Sequence, residues 1–174
     1  MTGAMTPTLT TERLTLGPCT MAHVVAFTAF AATEGARFLG GPTTDPEDGW
    51  FSAAAHAGQW IIRGYGTFWL EDRETGTPAG RVGPWHPSWA PEPDLSWVVY
   101  PDHEGSGLAS EAARAVLDWM ARETALPAPA SFVNPDNRRS IALARRLGAT
   151  EERRTTSRTG EQAIVFRHAY ARSA

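Results

Sequence analysis

The chain contains no lysine, for all 16 of its basic residues are arginine. That absence removes Schiff-base chemistry on a side-chain amine. It also removes the nucleotide triphosphatases whose G-x-x-x-x-G-K-[ST] turn sets a lysine against the phosphates. Cysteine is almost absent: Cys19 stands alone, so no internal disulfide can form, and such usage suits a reducing compartment. A thiol nucleophile is not indicated for Cys19, which reads as a packed side chain at a strand end. The five histidines show no paired metal-ligand spacing, so no metal is expected. No segment approaches the ~20 apolar residues of a membrane helix, and residues 1–7 lack the basic start and apolar run of a secretory signal. The cytoplasm is therefore the expected compartment, with no membrane partner. A net charge of -3 argues against a general nucleic-acid binder, which carries a basic surplus on one face.

What is present fits one globular domain: 174 residues, 42% hydrophobic and 20% charged, without an internal repeat or a Ser/Gly linker. The expected organisation is a flexible tail over residues 1–10 and a single domain over 11–170. Polar and apolar residues alternate over 12–17, a first strand closed by Gly17-Pro18. Thr20 caps a helix over 21–33, and a second helix starts after Pro46 and runs toward Gly58. Residues 65–70, 79–83 and 95–100 read as three strands of a meander, the last two separated by the aromatic, proline-rich loop 84–91. After Pro101 the period changes. Leu108, Ala112, Ala115, Val116 and Trp119 share one helical face, with Glu111, Arg114, Asp118 and Arg122 opposite. A short strand at 130–133, a helix over 137–147 stopped by Gly148, and a hairpin with arms 151–156 and 163–168 about Thr159-Gly160 complete an α/β sandwich pattern.

The strand at 95–100 runs through Pro101, Asp102 and His103 into Glu104-Gly105-Ser106-Gly107-Leu108-Ala109 and then into the strongest helix. Free N–H groups and the positive end of the dipole at a helix start attract phosphate, and two glycines let the backbone approach closely. A pyrophosphate fits this arrangement. On spacing alone, a plain tight entry to the helix is equally consistent with Gly105 and Gly107. A dinucleotide fingerprint is not met, because Ser110 stands where G-x-G-x-x-G needs its third glycine and the following strand ends at Asn134 rather than at an acidic residue.

Glu104-Gly105-Ser106-Gly107-Leu108-Ala109 resembles the acetyl-CoA motif [QR]-x-x-G-x-[GA] of the GNAT acetyltransferases, with Glu104 in place of Gln or Arg. Asp94-Leu95-Ser96-Trp97-Val98-Val99 is similar to the strand before that motif. Asn137-Arg138-Arg139-Ser140 through Arg146-Leu147-Gly148-Ala149 resembles the family's N-x-x-S…K-L-G-F segment, with Arg146 and Ala149 replacing its lysine and aromatic. The opening Thr11-Glu12-Arg13-Leu14-Thr15-Leu16 resembles the subgroup that includes ribosomal-protein alanine N-acetyltransferases and relatives acting on small amines. The resemblance covers residues 11–170. It implies a single-domain fold with a mixed, mostly antiparallel sheet of seven strands and about four helices. It further implies acetyl-CoA as co-substrate and direct acetyl transfer, in a ternary complex, to a primary amine of a peptide N-terminus or small molecule. A monomer or homodimer is expected.

The same resemblance implies roles for particular residues. In the family the strand before the turn splays from its neighbour at a bulge, where a main-chain N–H polarises the acetyl carbonyl; Val98 and Val99 occupy that place, and plain core burial suits them equally. Coenzyme A contacts are expected from Val98, Val99, Glu104, Gly105, Ser106, Gly107, Leu108, Ala109, Asn137 and Ser140. With Glu104 replacing Gln or Arg, backbone amides become the main phosphate ligands. Asp94 is the first choice of general base, with Glu92 and His86 in reserve; a solvated strand-edge carboxylate is the plainer reading of Asp94. Ser140 is the substitute proton donor to the leaving thiolate, because Ala144 stands where many relatives have tyrosine. Asn137 is either a helix N-cap or a pantetheine ligand. Arg138, Arg139, Arg145 and Arg146 meet the 3'-phosphate or form a solvated face. Phe38, Trp85 and His86 flank the acceptor channel. Two rival classes stay open: a non-catalytic acyl-CoA sensor, and an interaction domain built on Trp85 and Trp89.

Overall fold

The computed structural model describes residues 6–157 and 160–169. Its centre is an eight-stranded sheet ordered β1-β2-β3-β4-β5-β6-β8-β7, with β1 Leu9–Thr10, β2 Leu14–Gly17, β3 Phe68–Asp72, β4 Pro78–Trp85, β5 Asp94–Val99, β6 Ala130–Val133, β7 Thr150–Thr156 and β8 Gln162–Arg167. Every neighbouring pair is antiparallel except β5 and β6. A parallel pair needs a crossover, and helix α3 (Leu108–Glu123) supplies it. The described residues hold three more α-helices, α1 Met21–Ala31, α2 Pro46–Arg63 and α4 Arg138–Arg146, and short 3-10 turns at Glu34–Phe38 and Pro101–His103. The eighth strand beyond the expected seven is β1, whose two residues pair with Leu16 and Thr15 inside the stretch read as a tail. The turn expected at Thr159 and the domain end at 170 lie outside the described residues.

Sequence patterning explains which face each helix covers. Leu108, Ala112, Ala113, Val116 and Met120 of α3 are buried against Leu14, Leu16, Leu70, Val82 and Leu95. Each leucine, valine or methionine among them contributes roughly 1.5–3 kcal/mol on leaving water, and each alanine less. On the other face α1 and α2 bring Phe27, Phe30 and Ala53 onto Trp69, Val98 and Tyr100. Helix α4 packs Ala144 beside Val133, Ile164 and Phe166.

Several boundaries differ from expectation, β3 among them at Phe68–Asp72 rather than 65–70, and two of the differences have clear local causes. Helix α2 continues through Gly58 to Arg63, because one glycine inside a helix costs only ~1 kcal/mol while Gln59 and Trp60 anchor the extra turns. Strand β4 extends through Pro84 to Trp85, beyond the expected loop boundary. Pro84 faces Leu95, and the N–H of Tyr100 donates to Ala79 O. Alternation then makes Pro84–Leu95 a pair that exchanges no hydrogen bonds, so the missing proline N–H costs nothing there.

Buried Gln59 ties the end of β4 to α2. Its Nε2 donates to Pro84 O (2.8 Å) and Tyr65 O (3.1 Å), and its Oε1 accepts from the His86 N–H (2.7 Å). Replacing it with leucine leaves backbone polar groups enclosed without partners, at ~1–3 kcal/mol for each. The variant Gln59→Leu is expected to lose about 2–4 kcal/mol of stability, read from the urea midpoint; a midpoint equal to the parent's refutes the clamp.

Candidate active site

Strands β5 and β6 touch at one register pair, Asp94 with Ala130, and then part. Side chains close the apex. Ser131 Oγ donates to Leu95 O at 2.7 Å, and His168 Nε2 lies 2.8 Å from the same hydroxyl oxygen. Burial lowers His168 to a pKa of about 4, so it is neutral. With the serine hydrogen committed to Leu95, the Nε2–H tautomer of His168 is the one that fits. Asp94 Oδ1 accepts from the Phe132 N–H at 3.1 Å, a second bond across the apex.

Beyond the apex the alternation set by Tyr100 turns the N–H groups of Ser96 and Val98 toward β4 and those of Trp97 and Val99 toward the gap. The two valines therefore separate: Val98 is buried in the α1 cluster with its backbone facing β4, and the Val99 N–H points to the open side. The expected bulge is not found, since β4 and β5 pair one residue to one from Trp85–Asp94 to Gly80–Val99. Glycine at position 80 permits that continuity, for a Cβ there would lie 2.0 Å from Val98 O.

The gap opens beside the glycine turn. Gly105 and Gly107 have φ of +75° and +87°, a region open to glycine and strained for other residues. Gly107 is the N-cap of α3, so the first N–H groups of that helix are presented without a side chain over them. Leu108 is buried, leaving only its backbone for a ligand. Ala109 is half-buried. The Ser106 hydroxyl donates to His103 O at 2.7 Å and is used within the turn. Glu104, which stands where the family has Gln or Arg, forms an ion pair with Arg139 of α4.

Three residues given no role in the sequence reading hold this turn in place. Arg13 donates through Nη1 to Ser106 O (2.9 Å) and pairs with Glu111 (2.7 Å), while Thr11 Oγ1 donates to Glu111 Oε1 at 2.6 Å. Their signal was the Thr11-Glu12-Arg13 opening, noted only as a likeness.

Across the gap, Asn137 Oδ1 accepts from the Ser140 N–H at 3.1 Å, so Asn137 is an N-cap. Ser140 Oγ accepts from Trp97 Nε1 at 3.1 Å, which brings the hydroxyl against β5. Ala144 is fully buried where a tyrosine was sought. Arg138, Arg139, Arg145 and Arg146 are exposed.

On the α1–α2 face lie Asp94, Ser96, Val98 and Tyr100, each opposite Trp85, Gly83, Arg81 and Ala79 of β4. Burial pushes the Asp94 carboxyl up to about 7, against the pull of the Phe132 N–H and the Arg81 charge; part of the residue's surface remains open. Trp85 stacks near His56, with ring centroids 3.9 Å apart. His86 Nδ1 lies 2.6 Å from Tyr65 Oη, and burial followed by the Arg63 charge lowers its pKa. Glu92 is a poor reserve base: Arg167 (2.6 Å) and Arg153 (2.8 Å) bond its carboxylate and hold its pKa low. Phe38 is not drawn in by any hydrogen bond or ring contact to Trp85 or His86 among the described residues; its ring lies under Arg37 at 4.7 Å. No group of three His, Cys, Asp or Glu is placed to hold a metal among the described residues.

Residues 13–150 match the family described as the acetyltransferase (GNAT) domain. The crystal structure of the acetyltransferase from Agrobacterium tumefaciens str. C58 is 37% identical, covers 94% of this chain and 95% of its own, and superposes with a TM-score of 0.86. The ribosomal L7/L12 alpha-N-protein acetyltransferase RimL, in complex with coenzyme A, shares 18% identity over 93% of this chain and 97% of its own, with a TM-score of 0.77. That likeness speaks for the fold. The uncharacterized protein YkkB of Bacillus subtilis (strain 168) is 33% identical over 90 residues, 49% of this chain and 52% of that protein. The chain thus spans about half the length of the curated relative it matches. With the family match covering most of the chain and the splayed strands meeting the glycine turn, this protein belongs to the GNAT acetyltransferase family.

Proposed function

We propose that the protein is an acetyl-CoA-dependent N-acetyltransferase that passes an acetyl group to a primary amine by direct attack in a ternary complex. The observation that carries this reading is the gap between β5 and β6 opening beside the Gly105–Gly107 turn. One run of chain, residues 94–109, supplies a slot for an extended arm and a cradle for a pyrophosphate. The N–H groups at the start of α3, including those of Leu108 and Ala109, take the phosphates. Asn137 spends its Oδ1 on the cap, so its amide N–H groups remain for the pantetheine arm.

The chemistry follows from the groups along β5. The amine nitrogen attacks the thioester carbon, the C–N bond forms and the C–S bond breaks. The Val99 N–H, on the open side, stabilises the charge that develops on the carbonyl oxygen; one such donor is worth ~3 kcal/mol. Asp94 accepts the amine proton, and its pKa of about 7 suits a base working near neutrality. Ser140 accepts from Trp97 and keeps its own hydrogen, which it donates to the departing thiolate. Trp85 and His86 border the acceptor, and Phe38 sits farther out. The acceptor is a peptide N-terminus or a small-molecule amine, in keeping with the ribosomal-protein subgroup. We read the domain as starting at β1 rather than at residue 11, since Leu9 and Thr10 pair into the sheet, and the protein as a cytoplasmic monomer or homodimer.

Calorimetry with acetyl-CoA, followed by thiol-release assays on peptides and small amines, tests the reading. Binding with turnover supports it. Binding without turnover favours an acyl-CoA sensor, the alternative suggested by Glu104 and Ala144, and absence of binding overturns both.

Restoring the family residue with Glu104→Gln removes a carboxylate from the phosphate cradle. It is expected to tighten acetyl-CoA binding by roughly three- to tenfold at low salt, and unchanged affinity removes Glu104 from the cofactor site. For Asp94 the expectation concerns both rate and stability. Asp94→Asn retains an acceptor for the Phe132 N–H but no base, so kcat/KM falls by roughly 100-fold and the rise of parent activity through pH ~7 disappears. The folded carboxyl has a pKa above its unfolded value of ~3.9, so the native state binds the extra proton. The parent therefore loses stability as pH rises from about 4 to 7, and the asparagine variant does not. The variant should melt above the parent at pH 8, with the difference shrinking as pH falls and gone below about pH 4; parallel curves refute the elevated pKa.

A further inference from the structure

A buried cation on the acceptor side of the sheet has no ion-pair or hydrogen-bond partner among the described residues. Arg81, midway along β4, is 4% exposed, and its Nε and Nη1 are enclosed without a hydrogen-bond acceptor. Burial lowers its pKa to about 10, which leaves it charged at neutral pH. The Phe27 ring, 5.2 Å from Cζ, offsets part of the lost hydration. Asp94, Tyr100 and His56 all feel its charge, yet no ion pair or hydrogen bond joins Arg81 to them among the described residues. Tyr100 Oη is likewise enclosed and unpartnered. A guanidinium is rarely sealed from water unless an anion replaces its hydration.

Its location gives the anion a source. Arg81 sits opposite Val98, on the sheet face that carries the proposed base Asp94. Between their rows lies Gly83 opposite Ser96, the least bulky row on that face. Ser96 and Asp94 both retain open surface in mid-sheet, so solvent reaches this spot. Four residues along a strand separate the two rows by ~13 Å of backbone before side chains shorten the span. That is the scale of a small molecule with an amine at one end and an anion at the other. A lysine here would shed its proton on burial, whereas arginine keeps its charge.

We propose that Arg81 binds a carboxylate of the acceptor, so that the substrate is a primary amine that also carries a carboxylate. The assignment rests on the acetyltransferase reading and narrows its acceptor class. The amine faces Asp94, and the carboxylate reaches the N–H groups of Arg81, enclosed in the unliganded chain, as the packing over the Ser96–Gly83 row opens, with Tyr100 Oη as an additional donor.

Two assays on the full chain separate this proposal from the reading beneath it. Acetyl-CoA calorimetry with thiol release on primary amines of every class, with and without a carboxylate, judges the acetyltransferase reading alone: turnover of any of them supports it. The second compares the common amino acids with their own carboxamides, each rate corrected for the neutral amine fraction. In the parent, at least one carboxylate is expected to exceed its carboxamide in kcat/KM by about tenfold or more. In Arg81→Gln and Arg81→Met that preference should fall below roughly threefold, with acetyl-CoA affinity unchanged. Carboxamides that match their acids throughout in the parent overturn the proposal, even if neither variant folds. So does a preference that survives in a folded variant, or acetyl-CoA binding with no turnover of any amino acid.

Discussion

The single contact between β5 and β6 is the constraint on which the rest of the structure depends. A sheet gains from every paired peptide group, and ending a parallel ladder after Asp94–Ala130 leaves backbone donors and acceptors to be satisfied by other means. The chain meets part of that need with side chains at the apex: Ser131 to Leu95, His168 to Ser131, and Asp94 to Phe132. These bonds fix where the strands begin to part. Farther along, Trp97 leans across to Ser140 and holds α4 at the far wall of the opening. The gap is thus a built feature with its own hydrogen-bonded edges.

Asp94 is part of that apex and also the proposed base, which couples the two roles. Its bond from Phe132 lowers its pKa, and the Arg81 charge acts in the same direction; burial outweighs both and leaves the carboxyl near neutrality. Arg81 is itself unpaired, so the same face carries a buried cation and a carboxyl held halfway to neutral without a salt bridge between them. Had the two bonded directly, the carboxyl would titrate low and the guanidinium's charge would already be matched by an anion of the chain. Keeping them apart is what the proposed base and the proposed anion receptor both require.

Much of this was legible because local chemistry and final position agree. Gly105 and Gly107 marked a turn that needs left-handed backbone, Thr20 and Asn137 marked helix starts, and the apolar stripe of α3 marked its buried face. Each depends on a few neighbouring residues. The family pattern named Asp94, Val99 and Ser140 without showing that strand alternation would separate Val99 from Val98, a consequence of which strand β5 pairs with. Arg13, Glu111 and Arg81 escaped notice for a different reason. An arginine in a strand looks alike in sequence whether it lies in solvent or in a core, and Glu111 stands 98 residues from its partner Arg13. Only the packed sheet tells these cases apart. Pro84 misled for a local reason, because its cost depends on whether that position must donate.

The distribution of ion pairs bears on how a slot in the middle of a sheet survives without collapsing. On the closed side of the wedge, Arg167 bonds Glu92, Glu152 and the carbonyl of Ala128, linking β8, β7 and the loops that precede β5 and β6. On the open side, Arg13 joins β2 to the glycine turn and the first turn of α3. Exposed pairs contribute only ~0–1 kcal/mol each, yet several bonds converging on backbone atoms restrict motion more than one isolated pair does. The Glu104–Arg139 pair differs, since it joins the glycine turn to α4 across the mouth itself, and Arg139 is largely exposed. An isolated, solvated pair at that position breaks at little cost. The wedge is therefore held at its closed end and along the β2 flank by several bonds, and across the mouth, where the cofactor arm is proposed to enter, by one solvated pair.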